Sequence, residues 1–80
     1  MSDVTDLIAR NEASRKACLV AARSAWVNIM VALDGAGQSE RDLLAIDADK
    51  ATAQLETIRA KRDEMRRLLE ERQALFVQLG

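Results

Sequence analysis

Histidine and proline are absent from the sequence, and cysteine occurs once, at Cys18. Without histidine, the usual zinc ligands and the usual general base for a nucleophile are missing, and one cysteine cannot form a disulfide within the chain. Arg15 precedes Cys18 by about one helical turn, but a cysteine between Ala17 and Leu19 is typical of a small buried side chain. We therefore expect no enzymatic activity, no metal site and no cofactor.

Glycine and aromatic side chains are scarce as well. The 80 residues include three glycines and two aromatic residues, Trp26 and Phe76. Alanine, leucine, arginine, glutamate and aspartate dominate instead, which is the composition of long helices and predicts an all-α fold. A single domain of this size has a small core of its own, so we expect oligomerisation to supply the missing stability.

The sequence also lacks a strong charge and a long apolar run. Its 12 basic and 13 acidic residues nearly balance, which indicates no general preference for nucleic acid or membrane surfaces. Residues 17–33 form the most apolar stretch, but Arg23, Ser24 and Asn28 interrupt it and alanine makes up much of it, so no membrane helix is expected. Acidic residues precede the first apolar position, unlike a secretory signal, and we expect a cytoplasmic protein.

Capping residues predict a first helix over about residues 4–33. Ser2, Asp3 and Thr5 are all candidate N-caps. A break near Asn11–Ser14, which would create a short extra N-terminal helix, stays open. Toward its end this helix is apolar almost all round, which is typical of a helix covered on more than one side.

A turn at residues 34–39 separates this helix from a second one. Gly35 suits the left-handed position after a helix end, and Ser39 with Asp42 resembles a capping box. Residues 40–79 contain neither glycine nor proline and predict one long helix. The expected architecture is a single domain over residues 1–80: an antiparallel helical hairpin that oligomerises into a helical bundle.

Apolar positions in the second helix follow alternating steps of four and three, as in a coiled coil. This predicted seam comprises Leu44, Ala48, Ala51, Leu55, Ile58, Met65, Leu69, Phe76 and Leu79, with Arg62 and Arg72 as polar interruptions. A turn centred between residues 34 and 39 places residue i of the first helix opposite roughly residue 73 minus i. Arg10 should then face Asp63, Arg23 should face Asp47 or Asp49, and Arg62 should lie near Asn11 and Glu12.

The same register leaves everything after about residue 70 beyond the end of the first helix. Exposed apolar side chains in such an overhang usually mark an interface. Trp26 is expected in the core, and it becomes the first candidate for a binding hot spot if it is exposed. The candidate oligomer interface comprises Trp26, Ile29, Leu69, Leu75, Phe76, Val77 and Leu79.

A basic segment of the second helix is the candidate surface for a protein partner or for nucleic acid. It contains Arg59, Lys61, Arg62, Arg66, Arg67 and Arg72. Asp63, Glu64, Glu70 and Glu71 are interleaved with these bases and weaken their field. No aromatic residue lies among them to stack on a nucleotide base.

These features favour a small helical interaction protein that binds an unidentified protein partner as a homo-oligomer, most simply a dimer. Adaptors, chaperones and phage-type inhibitors of host complexes share this size and helical character, which is an analogy at the level of fold. One alternative is a nucleic-acid accessory protein that uses residues 59–72. Another is a small-nucleotide binder with pockets between subunits, anchored by Asn11, Arg15 or Arg62.

Overall fold

The computed structural model describes residues 3–80. These residues form three helices, α1 (Val4–Ala32), α2 (Glu40–Leu44) and α3 (Ala48–Leu79), and contain no strand. The predicted all-α class is therefore confirmed. α1 and α3 pack against each other in opposite directions and form a rod of 60 × 17 × 15 Å. Within the same residues, no helix combines the length and the hydropathy that crossing a bilayer requires.

α1 begins at a side-chain cap and continues without a break. The Asp3 Oδ1 atom accepts a hydrogen bond from the Asp6 backbone N–H at 2.9 Å, whereas Thr5 lies inside the helix and Ser2 lies outside the described residues. The helix passes through residues 11–14 because the Asn11 side chain bonds across to α3 instead of competing for its own backbone. Gly35 follows the helix end at φ +79°, the left-handed conformation that the sequence predicts.

The predicted single helix over residues 40–79 is divided in two. Ser39 caps α2 by accepting from the Asp42 N–H at 3.0 Å, but α2 ends at Leu44. Asp47 then starts α3, accepting from the Lys50 N–H at 2.8 Å while its own backbone is non-helical at φ −89° and ψ 82°. The prediction of an unbroken helix was wrong because an aspartate N-cap can begin a new helix a few residues after another helix has ended, without glycine or proline between them.

This longer connection shifts the register of the two long helices. Asn11 lies opposite Leu68, and Cys18 lies opposite Lys61, so residue i of α1 faces roughly residue 79 minus i of α3. The predicted relation of 73 minus i was wrong because α2 and the bends beside it move the centre of the connection toward residue 40.

The corrected register changes the overhang. It places Leu75 opposite Val4, and Leu75 is only 6% exposed within its own chain. A second copy is therefore not needed to cover Leu75. Phe76, Val77 and Leu79 stay exposed at the end of α3, as predicted.

The predicted ion pairs between the helices do not form. Within residues 3–80 the four ion pairs all join neighbours on one helix: Lys16 with Glu12, Arg59 with Glu56, Lys61 with Glu64, and Arg62 with Asp63. The register shift explains why Arg10 does not reach Asp63 and why Arg62 does not meet Asn11. It also takes Arg23 past Asp47 and Asp49.

The core of the single chain is very small. Among residues 3–80 the buried apolar side chains are those of Cys18, Ala25 and Leu75. The accessible surface of the chain is 6273 Å², against about 4,800 Å² for a compact protein of this mass. Its radius of gyration is 18.3 Å, whereas a compact domain of this length has about 12 Å. One chain thus exposes about 1,500 Å² more surface than a compact fold would.

Candidate association surface

Polar groups join the two long helices in the half of the rod that holds the chain ends. We call residues 3–20 and 59–80 the free-end half. Here the Asn11 Nδ2 donates to the Leu68 carbonyl at 2.8 Å and to the Glu71 Oε1 at 3.2 Å. The Arg15 Nε donates to the Asn11 Oδ1 at 2.9 Å, so both ends of a side chain that is only 2% exposed are hydrogen-bonded. A satisfied buried asparagine favours one register over its neighbours.

Cys18 makes the second polar contact between the helices. It is buried, and its Sγ donates to the Lys61 carbonyl at 3.1 Å, which agrees with the expectation of a small buried side chain. The Lys61 ammonium group points instead to the Glu64 carboxylate at 2.9 Å. That hydrogen bond, together with the charge of Glu64, raises the pKa of Lys61 above its ordinary value of 10.5, and partial burial opposes the rise.

The other half of the rod, residues 21–58, contains an open apolar groove; we call it the turn half. The groove has a volume of about 360 Å³ and is lined by Trp26, Ile29, Leu33, Ala51, Thr52, Leu55 and Ile58. Trp26 is 56% exposed, so the expectation that it lies in the core of its own chain was wrong. Because it is exposed, Trp26 is the first candidate for a binding hot spot.

The groove belongs to a longer apolar stripe, which we call the heptad face: Leu19, Trp26, Leu33, Leu55, Leu69 and Phe76. Leu19 and Trp26 lie on α1 and Leu33 is its C-cap, and the three are spaced seven residues apart. Leu55, Leu69 and Phe76 lie at multiples of seven on α3. Residues seven apart occupy equivalent positions on paired helices. All six are between 42% and 56% exposed. Arg62 occupies the remaining α3 position of this stripe and pairs with the adjacent Asp63.

The heptad face corrects the predicted seam of the second helix. Leu55, Leu69 and Phe76 are exposed members of that seam, whereas less exposed positions of α3 face α1. Those positions include Gln54, Lys61, Leu68 and Leu75, which were not part of the predicted seam, together with Ala51 and Ile58, which were. The seam was predicted from apolar spacing alone. The side of α3 that contacts α1 is instead the side where Leu68 and Lys61 accept hydrogen bonds from Asn11 and Cys18. This side is turned by one residue, about 100°, from Leu69 and Arg62.

Several interface residues predicted from the sequence lie on or near the heptad face. Trp26, Leu69 and Phe76 belong to it, Ile29 lines the groove, and Val77 and Leu79 are exposed at the adjoining end. The sequence prediction missed Leu19, Leu33 and Leu55 as interface candidates. The spacing of seven through residues 19, 26 and 33 would have identified Leu19 and Leu33.

A second apolar surface lies on α1 alone. Val20, Val27, Met30 and Val31 are all exposed, and we call them the outer stripe. Val20 and Val27 each follow a heptad-face residue by one position, which turns them about 100° around the helix. The sequence indicated that one partner helix would not cover this part of α1, and α3 indeed leaves the outer stripe uncovered.

The basic segment does not form a uniform positive surface. Arg59, Lys61 and Arg62 each pair with a nearby acid. The Arg72 guanidinium lies over the Phe76 ring, 4.9 Å from its centroid, while Arg66 and Arg67 are exposed. Across the described part of the chain, no three potential ligands from acids and cysteine gather where a metal ion would fit.

Comparison of the chain with models of protein families, with curated proteins and with solved structures gives no match. The residues and geometry of the heptad face, the outer stripe and the polar contacts are therefore the basis on which a function is assigned.

Proposed function

We propose that this chain is a small, non-catalytic interaction protein that acts as a homo-oligomer, most simply a dimer of antiparallel helical hairpins joined into a helical bundle. The heptad face carries this proposal. Its six large apolar side chains extend along both long helices and are about half exposed in one chain. Soluble monomers seldom expose contiguous apolar patches of more than a few hundred Å², and larger ones usually mark interfaces.

The surface area of the chain supports association of ordinary size. A specific protein interface buries about 800 Å² per partner. The chain exposes about 1,500 Å² more than a compact protein of its mass, so a second copy has enough surface to cover. Association would also enlarge a core that consists of three apolar side chains among residues 3–80.

The outer stripe is the proposed contact for a different protein. It lies to one side of the heptad face, so a second copy seated on that face leaves Val20, Val27 and Val31 accessible. An adaptor, a chaperone or an inhibitor of a larger complex would use such a helix surface by laying it against an apolar groove or helix of its partner.

The contacts of the candidate polar anchors weigh against the alternative functions. For nucleic acid, three of the six bases in residues 59–72 already pair with acids, which weakens attraction to phosphate. For a small nucleotide, Asn11 and Arg15 bond to each other, and Asn11 also bonds to Glu71 and Leu68. The groove itself offers Thr52 as its polar lining residue, which is a poor match for a phosphate group.

Light scattering tests the oligomer. At micromolar concentration we expect a mass of at least twice the 8.9 kDa of one chain. Leu55→Asp should shift the protein toward the monomer because a carboxylate would be buried in the interface. Leu44→Asp is the matched control, since Leu44 is 86% exposed and lies outside the heptad face. A wild-type mass of one chain would refute the oligomer.

Affinity capture from the native host tests the partner surface. Wild-type protein and Val27→Asp are each immobilised, and captured proteins are identified by mass spectrometry. We expect a specific partner that the Val27→Asp variant loses while it keeps its oligomeric mass. Equal capture by both proteins would exclude the outer stripe as the binding surface.

A further inference from the structure

The two ends of the heptad face have different shapes. In the turn half, Trp26 on α1 and Leu33 at its C-cap lie beside Leu55 on α3, with the groove between the helices. Beyond Leu19, toward the far end of the free-end half, α3 alone supplies the large apolar side chains of the heptad face, Leu69 and Phe76. The equivalent positions of α1 in that part are Thr5 and Glu12, which are small or polar. One end of the face is therefore a cleft, and the other end is a ridge.

We propose that a second copy of this chain lies antiparallel on the heptad face, so that Leu69 and Phe76 of each copy enter the groove of the other. The inference rests on the proposed function, because it specifies how the homo-oligomer is built. A two-fold axis makes the contact self-complementary, so one arrangement fills both grooves and covers both ridges. A parallel arrangement would set groove against groove and leave an apolar space between the copies, which is costly.

The distribution of charge favours the same orientation. The turn half has three bases and six acids, a net side-chain charge of −3, while the free-end half has nine bases and seven acids, a net of +2. Antiparallel packing brings each negative half against a positive half, and parallel packing brings like charges together. Packed helices are about 8–10 Å apart, close to the Debye length of about 8 Å at physiological salt, so this difference is only partly screened.

Arg62 supplies a third reason. It is the polar position of the α3 stripe, between Leu55 and Leu69, and its side chain is 63% exposed. In a parallel dimer the two Arg62 side chains would lie at the same level of the bundle, and their like charges would repel. In an antiparallel dimer with Leu55 against Phe76, the axis passes near residue 65, and Arg62 lies beside residues 69 and 70 of the other copy. Glu70 there offers an acid partner.

Disulfide trapping tests the orientation. Cys18→Ser removes the native thiol while keeping a group that can donate to the Lys61 carbonyl. In this background, Thr52→Cys and Leu79→Cys are prepared separately, because the antiparallel axis places residue 52 opposite residue 79. The two proteins are mixed in equal amounts while reduced, allowed to exchange subunits, and oxidised. Mass spectrometry then separates mixed from identical pairs, and Ala53→Cys mixed with Leu79→Cys is the control on the outer side of α3.

We expect mixed Thr52→Cys and Leu79→Cys pairs to exceed the half that random pairing of an equal mixture produces, and the control mixture to cross-link weakly. A predominance of identical Thr52→Cys pairs would overturn the antiparallel arrangement and leave the homo-oligomer intact. Random proportions with weak cross-linking would exclude the heptad face as the contact. A one-chain mass for the Cys18→Ser protein and for the wild type would refute the proposed function itself.

Discussion

The free-end half and the turn half of the rod use the same pair of helices in different ways. In the free-end half, Asn11 and Cys18 are buried and donate directly to backbone carbonyls of α3. In the turn half, Trp26, Leu33 and Leu55 are large and apolar, yet each remains about half exposed around the groove. Polar side chains are thus buried where α1 and α3 are hydrogen-bonded to each other, and large apolar side chains are exposed beside the groove.

This difference separates the specificity of the fold from its drive to associate. A buried hydrogen bond has direction and a fixed length, so a slip by one helical turn would break it and leave the polar groups unsatisfied. Apolar burial has no such direction and is roughly proportional to area. We infer that the free-end half determines the register of α1 against α3, and that the turn half supplies the groove into which a second copy packs.

The largest expected effect comes from removing the main anchor of the groove. Trp26→Ala should weaken association by about 2–4 kcal/mol, or about 30-fold to about 1,000-fold in Kd, because buried tryptophans are frequent interface hot spots. Sedimentation equilibrium over a concentration series would measure it. Leu44→Ala should leave Kd nearly unchanged. Equal changes in Kd for Trp26→Ala and Leu44→Ala would show that the interface does not lie at the groove.

A smaller effect, on folding and register, is expected in the free-end half. Asn11→Ala leaves the Leu68 carbonyl and the Arg15 side chain without their partner, at a cost of about 1–3 kcal/mol in the free energy of unfolding. Urea unfolding at fixed protein concentration would measure this cost, and Ser14→Ala on the exposed side of α1 is the control. Asn11→Leu should cost less but should admit a second register, visible as doubled amide signals in NMR spectra.

Arg62 is a polar residue on the otherwise apolar stripe of α3. Arg62→Leu should maintain the fold and strengthen association by about 1 kcal/mol, because it joins Leu55 to Leu69 in one apolar run and the lost pair between exposed charges contributes little. Thermal melts and light scattering would show this. Arg59→Leu is the matched control, as Arg59 pairs with Glu56 away from the heptad face. If the Arg62→Leu protein does not fold, the assignment of position 62 to the heptad face is wrong.

The smallest effect concerns the ion pair on the surface of the free-end half. Because the pKa of Lys61 is raised in the folded chain, the folded state binds this proton more tightly than the unfolded state. The stabilisation is complete below pH 10.5 and is lost as the pH rises through the raised pKa. Glu64→Gln should lower the pKa of Lys61, as followed by NMR titration. Glu56→Gln, which removes the charge paired with Arg59, should leave the pKa of Lys61 unchanged.

The ends of the helices were predicted well from the sequence at three positions. Asp3, Ser39 and Gly35 act through hydrogen bonds and dihedral angles within a few residues, so composition and spacing reveal them. The break before Asp47 was missed because an aspartate in a helical context is compatible with either a surface position or a cap. Choosing between them depends on where the chain must turn to bring α3 onto α1.

By itself, then, the sequence determined two long helices, their first caps and an apolar stripe at heptad spacing, because each depends on neighbours in the chain. Only the tertiary structure decided which side of α3 lies against α1. That choice rests on Asn11 and Cys18 reaching carbonyls 57 and 43 residues away. The stripe of α3 that faces α1 contains Gln54, Lys61, Leu68 and Leu75 and is less apolar than the adjacent stripe, so hydrophobicity alone would favour the wrong side. The directed hydrogen bonds favour the observed side, and they leave Leu55, Leu69 and Phe76 exposed.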